Sequence, residues 1–338
     1  MRTCGGGARG WGNVVRLRHL ADRLRSTLPQ TAFQFVAEGP EPVNTYLTDA
    51  GYDCMRLPDG LSVAAESAIW QRMGQVTAVI AELEDATTSR QELWRSVSSR
   101  LIVLDDLLLH RSCANLLICA QPPPADAAKL MPADTRFLHG YGYYVAAPDF
   151  AKPISNVCDG EGNRLLVSLG GSPELHGFQK IVEMLAPRAG DWRIAVAAGL
   201  DANQASLVER RWPHIEIIGP CSKMAALYAQ ADVGLIGGGY SKIEAAIMRL
   251  PMATVAMVLH QVPLCERFAD ATGTPFLGLA HELTAQVLFE NLERLFHGPA
   301  RGRLLDSYSR SIDGLGASRV AAAIVQYLGE TGVSGGGV

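Results

Sequence analysis

The fold is decided by the stretch Asp232-Val-Gly-Leu-Ile-Gly-Gly-Gly-Tyr-Ser-Lys-Ile-Glu-Ala-Ala-Ile-Met-Arg-Leu-Pro-Met-Ala-Thr-Val-Ala256. It predicts an apolar strand from Val233 to Ile236, a glycine turn, a helix, and a second strand from Met252 to Ala256. The turn consists of Gly238, Gly239, Tyr240 and Ser241. Its unhindered N–H groups and the N-terminus of the following helix can receive a diphosphate. The stretch therefore predicts a βαβ unit that binds phosphate.

Glu244 stands one turn into the same helix. Its carboxylate can accept hydrogen bonds from a ribose diol. The alternative is that it only stabilises the helix N-terminus, which is worth ~0.3 to 1 kcal/mol for any first-turn glutamate. Both interpretations are open from these residues alone.

Two further glycine clusters are present, one near the start of each half of the chain. The first runs from Gly5 to Asn13 and includes Gly10 and Gly12; the second includes Gly170, Gly171 and Ser172. Either cluster alone could be no more than a strained turn. Their repetition before a predicted helix in both halves favours two loops that face one ligand-binding cleft.

Short apolar runs alternate with helix-length amphipathic segments along the whole chain, which is typical of parallel sheets covered by helices on both faces. The predicted strands are Ala32–Val36, Thr77–Ala81, Leu101–Leu104, Leu116–Cys119, Leu165–Ser168, Ile194–Ala197, Glu216–Ile218, Val233–Ile236 and Met252–Ala256. Any strand before the first glycine cluster must be very short, unless the true start lies upstream. We expect an α/β protein with two Rossmann-like domains, residues 1–154 and 155–330, and a disordered tail at 331–338.

Composition excludes several classes of function. The formal net charge is −4 with no basic stripe, so a nucleic-acid partner is not expected. No apolar run approaches the ~20 residues of a membrane-spanning helix, and the N-terminus lacks a signal sequence, so we expect a cytoplasmic protein. The seven cysteines form no C-x-x-C pair and the eight histidines no metal-binding motif. Reduced thiols, no bound metal and no cofactor are therefore expected.

The stretch from Asp232, continued to Gln261, resembles the donor-binding half of GT-B enzymes, particularly the UDP-N-acetylglucosamine transferase of peptidoglycan assembly. The resemblance implies that Glu244 holds the uridine ribose, that the glycine and serine turn holds the diphosphate, and that Gln261 holds the sugar. The segment around Ile218 corresponds to the region that contacts uracil. A GT-B fold also implies two parallel sheets that face each other across a cleft.

The layout of residues 1 to 285 resembles the UDP-sugar hydrolase of the pseudaminic acid pathway and its spore-coat polysaccharide relatives. The shared features are Gly10, Gly12 and Arg16 in the first loop, Leu104-Asp-Asp106, the stretch Leu138-His-Gly-Tyr-Gly-Tyr-Tyr-Val-Ala-Ala-Pro-Asp-Phe150, and Leu169-Gly-Gly-Ser172. This resemblance implies a UDP-sugar ligand.

The chain departs from that pattern where the chemistry would occur. Asn13 stands where the hydrolases carry a histidine, and Ala81-Glu-Leu-Glu-Asp85 replaces their Asp-His-Tyr cluster. An amide cannot accept a proton at neutral pH, so general-base catalysis worth ~10²- to 10⁴-fold would be lost at Asn13. The remaining candidates for that role are Glu82, Glu84, Asp85, Asp105, Asp106 and His110.

We assign Asn13, Arg16, Asp105 and Asp106 to the catalytic region, with a turn or helix cap as the alternative for one of the two aspartates. Arg16 could also receive charge on the departing UDP. The sequence favours transfer of the sugar to a small-molecule or glycan acceptor. A hydrolase that uses water, and a binding protein without turnover, are the alternatives. An oxidoreductase is not expected, because Val15 replaces the third glycine of the dinucleotide fingerprint.

Overall fold

The computed structural model describes residues 1–83, 85–151, 162–170, 175–197, 202–219 and 223–330. The chain divides into two compact units, and most residue contacts lie within one unit or the other. Unit 1 consists of Met1–Ala147 together with the chain from Leu315 onward, and unit 2 of Pro148–Gly314. Each unit is an α/β structure built on one parallel sheet.

The sheet of unit 1 has seven parallel strands in the order β3-β2-β1-β4-β5-β6-β7. They are β1 (Arg2–Cys4), β2 (Gln34–Glu38), β3 (Asp53–Leu57), β4 (Val79–Glu82), β5 (Leu101–Leu104), β6 (Leu116–Cys119) and β7 (Arg136–His139). The helices between them are α1 (Gly12–Thr27), α2 (Glu41–Asp49), α3 (Val63–Met73) and α4 (Thr88–Val97). The strand order reverses direction between β1 and β4, and ligands of open α/β sheets bind at the carboxyl ends of strands around such a point.

The sheet of unit 2 has six parallel strands in the order β10-β9-β8-β11-β12-β13. They are β8 (Arg164–Ser168), β9 (Arg193–Ala197), β10 (Ile215–Ile218), β11 (Val233–Gly237), β12 (Met252–Ala256) and β13 (Phe276–Leu279). Its helices are α5 (Leu175–Leu185), α6 (Ala202–Arg211), α7 (Met224–Gln230), α8 (Ser241–Ile247), α9 (Val262–Thr272), α10 (Ala285–His297) and α11 (Ala300–Ser311). In this sheet the strand order reverses between β8 and β11. The loop after β11 therefore lies where ligands of open α/β sheets bind.

All nine strands predicted from apolar runs are present, with ends shifted by at most a few residues. The apolar runs do not predict four strands: β1, which is only 3 residues long, and β3, β7 and β13, each of which is an edge strand of its sheet. An edge strand keeps one side partly exposed, so its sequence need not be continuously apolar. In β3, for example, Asp53 and Arg56 are exposed.

The last helix, α12 (Gly316–Glu330), packs in unit 1, although residues 155–330 were expected to form the second domain. Its buried residues Val320 and Ile324 join the core cluster that contains Leu17 and Leu20 of α1. Gly316 permits this approach, because a Cβ there would lie 2.0 Å from the Tyr144 carbonyl oxygen. The contact division falls between residues 147 and 148, and the predicted tail at 331–338 lies outside the described residues.

No helix within the described residues has the length and apolar character needed to cross a membrane.

Candidate functional site

The first glycine loop connects β1 to α1 in unit 1. Gly6, Gly7 and Gly10 have φ values of 82°, 56° and 69°, a left-handed region that favours glycine. The Gly6 N–H donates to the Gly10 carbonyl oxygen at 2.6 Å, so the loop folds back on itself before α1 begins at Gly12. The conformation of this loop therefore accounts for its glycines.

A buried cluster of charged side chains lies beside this loop. Arg16 of α1 donates from Nη1 to Asp106 Oδ2 at 2.7 Å and from Nε to Glu82 Oε1 at 2.6 Å. Its Nη2 also donates to Glu82 Oε1. Asp106 Oδ1 accepts a hydrogen bond from the Ala120 N–H at 2.5 Å, and the guanidinium lies 5.5 Å from the centroid of the Tyr144 ring. The structure thus brings together two predicted site residues, Arg16 and Asp106, and joins them to Glu82.

Glu82 is the least satisfied member of the cluster. It ends β4, is 2% exposed, and its Oε2 atom has no hydrogen-bond partner among the described residues. Burial raises the pKa of Glu82 to about 7; Arg16 opposes this rise and Asp106 adds to it. A carboxyl group with this pKa can exchange a proton near neutral pH.

The other two predicted catalytic residues, Asn13 and Asp105, form different hydrogen bonds from those of the Arg16–Glu82–Asp106 cluster. The Asn13 amide is nearly buried and contacts Cys4, with 3.9 Å between Nδ2 and Sγ. Asp105 Oδ1 accepts from the N–H groups of Leu107 and Leu108 at 2.9 and 2.8 Å. It supports a tight turn in which Leu108 has a φ of 51°. Asp105 therefore has the turn role that the sequence analysis held as the alternative.

The loop at Gly237 to Tyr240, called the second glycine loop from here on and distinct from the Gly170–Ser172 cluster, connects β11 to α8 in unit 2. Its three glycines differ in their surroundings. A Cβ at Gly237 would lie 3.0 Å from the Leu169 backbone, and one at Gly238 would lie 2.8 Å from Cys265 Sγ and from Gln261 Cβ. A Cβ at Gly239 would meet no atom of the described residues within 4 Å, and the φ of Gly239 is not in the left-handed region. Packing thus requires glycine at 237 and 238 but not at 239.

Lys242, in the first turn of α8, lies under this loop. Its side chain is buried, and Nζ donates to the carbonyl oxygens of Gly238 at 2.6 Å and Gly239 at 2.9 Å. The ammonium lies 5.9 Å from the centroid of the Phe268 ring. Lys242 was not among the site residues predicted from the sequence. Its signal there is a lysine in the first turn after a glycine loop, where a positive charge opposes the helix dipole.

The remaining predicted binding residues of α8 and its surroundings lie close to the loop. Tyr240, Ser241 and Glu244 are half-buried, and the Glu244 carboxylate adds to the effect of burial in raising the pKa of Tyr228. Gln261 Oε1 accepts from the Met257 N–H at 2.9 Å, so its amino group is the part that can donate to a ligand.

The predicted residues on β8 and β10 are only partly described. Gly170 follows β8 with a φ of 100° and is half-buried, and Ile218 is the half-buried last residue of β10. Gly171 and Ser172 lie outside the described residues. Within the described chain, no three His, Cys, Asp or Glu side chains are grouped so that they could hold a metal ion.

The chain is similar to known proteins in both sequence and structure. The chain is 22% identical over 337 residues to the spore coat polysaccharide biosynthesis protein SpsG of Bacillus subtilis (strain 168), and the match covers 95% of each chain. Its structure is similar to that of Acinetobacter baumannii MurG, with a TM-score of 0.69 and 12% identity over 96% of this chain and 99% of that chain. It is also similar to a UDP-glucose:anthocyanidin 3-O-glucosyltransferase in complex with UDP, with a TM-score of 0.63 and 12% identity over 97% and 98% of the two chains.

No family model matches the chain. The similarities confirm the predicted fold class, which is GT-B with two Rossmann-like parallel-sheet domains, and the resemblance to the spore-coat polysaccharide family. At these identities the solved structures establish the fold alone.

Proposed function

We propose that the protein is a glycosyltransferase that takes its sugar from a UDP-sugar donor and acts in the biosynthesis of a polysaccharide or surface glycan. The donor is assigned to unit 2, and a proton-accepting carboxyl group is assigned to unit 1. The assignment of the pathway is supported by the similarity to SpsG, whose name refers to polysaccharide biosynthesis. The assignment of the donor is supported by the fold shared with a glucosyltransferase that holds UDP.

The proposal rests on the open surroundings of Gly239. Its neighbour Gly238 is explained by packing against Cys265 and Gln261, whereas no described contact and no left-handed φ requires a glycine at 239. A glycine in this situation leaves the backbone open to close approach by a ligand. Backbone N–H groups at such a loop suit an anion, and a diphosphate is the anion of a nucleotide sugar.

The neighbouring side chains complete the donor site in this proposal. Glu244, three residues after Ser241, binds the ribose hydroxyls, and the Gln261 amino group binds the sugar. Gly10, Gly12, Gly170, Gly171, Ser172 and Ile218 are assigned to the nucleotide sugar as the resemblance implies, and Asn13 to the catalytic region.

The proposed reaction exchanges one bond at the anomeric carbon. The acceptor hydroxyl oxygen bonds to that carbon, and the bond from the carbon to the UDP oxygen breaks with its electron pair remaining on UDP. The hydroxyl proton passes to Glu82 Oε2, a buried carboxyl oxygen that has no hydrogen-bond partner among the described residues. Arg16 holds Glu82 in place and is itself held by Asp106, so Arg16 is assigned to orienting Glu82 rather than to UDP.

The test is to incubate the protein with a panel of UDP-sugars and measure released UDP with and without candidate glycan acceptors. Release that depends on an acceptor supports the transferase. Release in water alone would make the protein a hydrolase, and binding without release would make it a binding protein. If no uridine nucleotide binds, or if Glu244→Ala leaves binding unchanged, the donor assignment is wrong.

A further inference from the structure

Lys242 is a buried cation in direct contact with the backbone of the second glycine loop. Its Nζ atom lies 2.6 Å from the Gly238 carbonyl oxygen and 2.9 Å from the Gly239 carbonyl oxygen. Burying an ammonium group is costly unless it is held by well-placed hydrogen bonds. A lysine that only packed its aliphatic stem could instead have extended its charged end into water.

These two hydrogen bonds constrain the direction of two peptide groups. The carbonyl of Gly238 belongs to the same planar, trans peptide as the N–H of Gly239, and the carbonyl of Gly239 to the same peptide as the N–H of Tyr240. In a trans peptide the C=O and N–H bonds point in opposite directions. When both carbonyls point to Lys242, the N–H groups of Gly239 and Tyr240 therefore point away from it.

The charge on Lys242 also strengthens these peptide groups as donors. A hydrogen bond from an ammonium polarises the peptide that accepts it, and hydrogen bonds in series reinforce one another. An anion that accepts hydrogen bonds from the opposite N–H groups would benefit from this polarisation. The open surface at Gly239, where a Cβ would meet no described atom within 4 Å, leaves room for that anion.

We propose that Lys242 is a positioning residue for the donor diphosphate: it holds the Gly238–Tyr240 loop so that the N–H groups of Gly239 and Tyr240 face the phosphate groups. Lys242 acts through the loop and does not touch the ligand. This inference rests on the proposed function, because it requires that unit 2 binds a nucleoside diphosphate. It predicts that Lys242 matters for the diphosphate and not for the nucleoside.

The experiment compares uridine, UMP and UDP binding to the wild type, Lys242→Met and Lys180→Met by calorimetry. Methionine keeps the length and apolar contacts of the stem but removes the charge. Lys180 is the matched control, because it is in the same unit and also donates to a backbone carbonyl, that of His281 at 2.6 Å. Thermal unfolding of each variant reports whether the fold is intact.

Lys242→Met is expected to weaken UDP binding by about ten- to a hundred-fold, the range of a charge-assisted hydrogen bond, and to leave uridine binding nearly unchanged. Lys180→Met should leave all three affinities at the wild-type level. If Lys242→Met weakens uridine and UDP equally, or leaves the ratio of their affinities unchanged, Lys242 has only a structural role and the inference is overturned.

A measurement on the wild type covers the case in which Lys242→Met does not fold. The amide NMR signals of Gly239 and Tyr240 should shift on addition of UDP, and much less on addition of uridine. Signals of these two amides that stay in place while UDP binds elsewhere on the protein would overturn the inference. Absence of any UDP binding to the wild type would instead refute the proposed function, so the two failures are distinguishable.

Discussion

The two glycine loops share one backbone plan and differ in the charge that lies next to them. Each follows a central strand of a parallel sheet, β1 in one unit and β11 in the other, and each leads into a helix. Beside the first loop, Arg16 is buried with two carboxyl groups, Glu82 and Asp106. Under the second loop lies the buried ammonium of Lys242.

Under the proposed function, this difference lets similar loops serve different ligands. The strand, the glycines and the helix create an accessible stretch of backbone in both units, but the neighbouring charge selects what can bind there. A cationic environment suits a diphosphate. A carboxyl group with a pKa of about 7 suits a hydroxyl that must lose its proton.

The largest expected effect concerns Glu82. Glu82→Gln keeps an amide oxygen for Arg16 but cannot accept a proton, so the acceptor-dependent rate should fall by ~10²- to 10⁴-fold. Catalysis requires the ionised carboxylate, so the wild-type rate should rise with pH through about 7, the pKa of Glu82. This inflection should be absent in the variant, while the Kd for UDP is unchanged.

The control for Glu82 is Glu92→Gln, which alters an exposed carboxylate of α4. It should leave the rate and the pH profile at their wild-type values. A Glu82→Gln enzyme with the wild-type rate and the same inflection would remove Glu82 from the reaction and break the proposed contrast between the loops.

The second prediction concerns a buried ion cluster in unit 1 that we assign to stability. Glu66 accepts hydrogen bonds from Arg2 Nε at 2.9 Å and from the indoles of Trp70 and Trp94 at 3.0 and 3.1 Å. Glu66→Ala should lower the free energy of unfolding by ~3 to 5 kcal/mol, because it removes one of the two carboxylates paired with the buried Arg2 and leaves the Arg2 Nε and two indole N–H groups without that acceptor. Urea unfolding measures this, with Glu92→Ala as the exposed control. A change in UDP affinity of the folded variant would contradict a purely stabilising role.

The third prediction exchanges one glycine in each loop for alanine. Gly10 has a φ of 69°, so Gly10→Ala should lower the free energy of unfolding by ~1 to 2 kcal/mol through backbone strain. Gly239 has no such constraint, so Gly239→Ala should leave stability near the wild-type value and weaken UDP binding by about ten-fold, equivalent to ~1.4 kcal/mol. Thermal unfolding and calorimetry measure the two effects.

Gly302→Ala is the control for this pair, because Gly302 lies in α11 with no described atom near its Cβ position. It should leave UDP binding unchanged. Unchanged binding in Gly239→Ala as well would mean that no ligand approaches the loop at that residue.

The smallest expected effect concerns Asp105. Asp105→Ala removes an acceptor from the N–H groups of Leu107 and Leu108 and should cost ~1 kcal/mol of stability, a typical net value for a hydrogen bond. Asp105→Asn keeps an acceptor oxygen and should behave like the wild type in both stability and rate. A loss of rate in Asp105→Asn would show that the charge of Asp105 is used in the reaction.

Much of the fold could be read from the sequence because central parallel strands are buried on both faces and appear as continuous apolar runs. The strands β5, β6 and β12 have the bounds that these runs predict. The edge strands β3, β7 and β13 could not be found in this way, since their residues are partly exposed. The packing of α12 in unit 1 also depends on contacts with residues some 300 positions earlier, which no local pattern encodes.

The candidate site residues also differ in whether the sequence or only the tertiary structure reveals them. The sequence alone determined where the glycine loops lie and which helix each precedes, because glycine and helical periodicity are local signals. Only the tertiary structure decided that Asp106 joins Arg16 while Asp105 supports a turn. It also decided that Glu82 has a raised pKa and one oxygen with no partner in the described part of the chain. It also placed the Lys242 ammonium under the second loop. These properties depend on burial and on partners from distant strands, and both arise only when the sheet has formed.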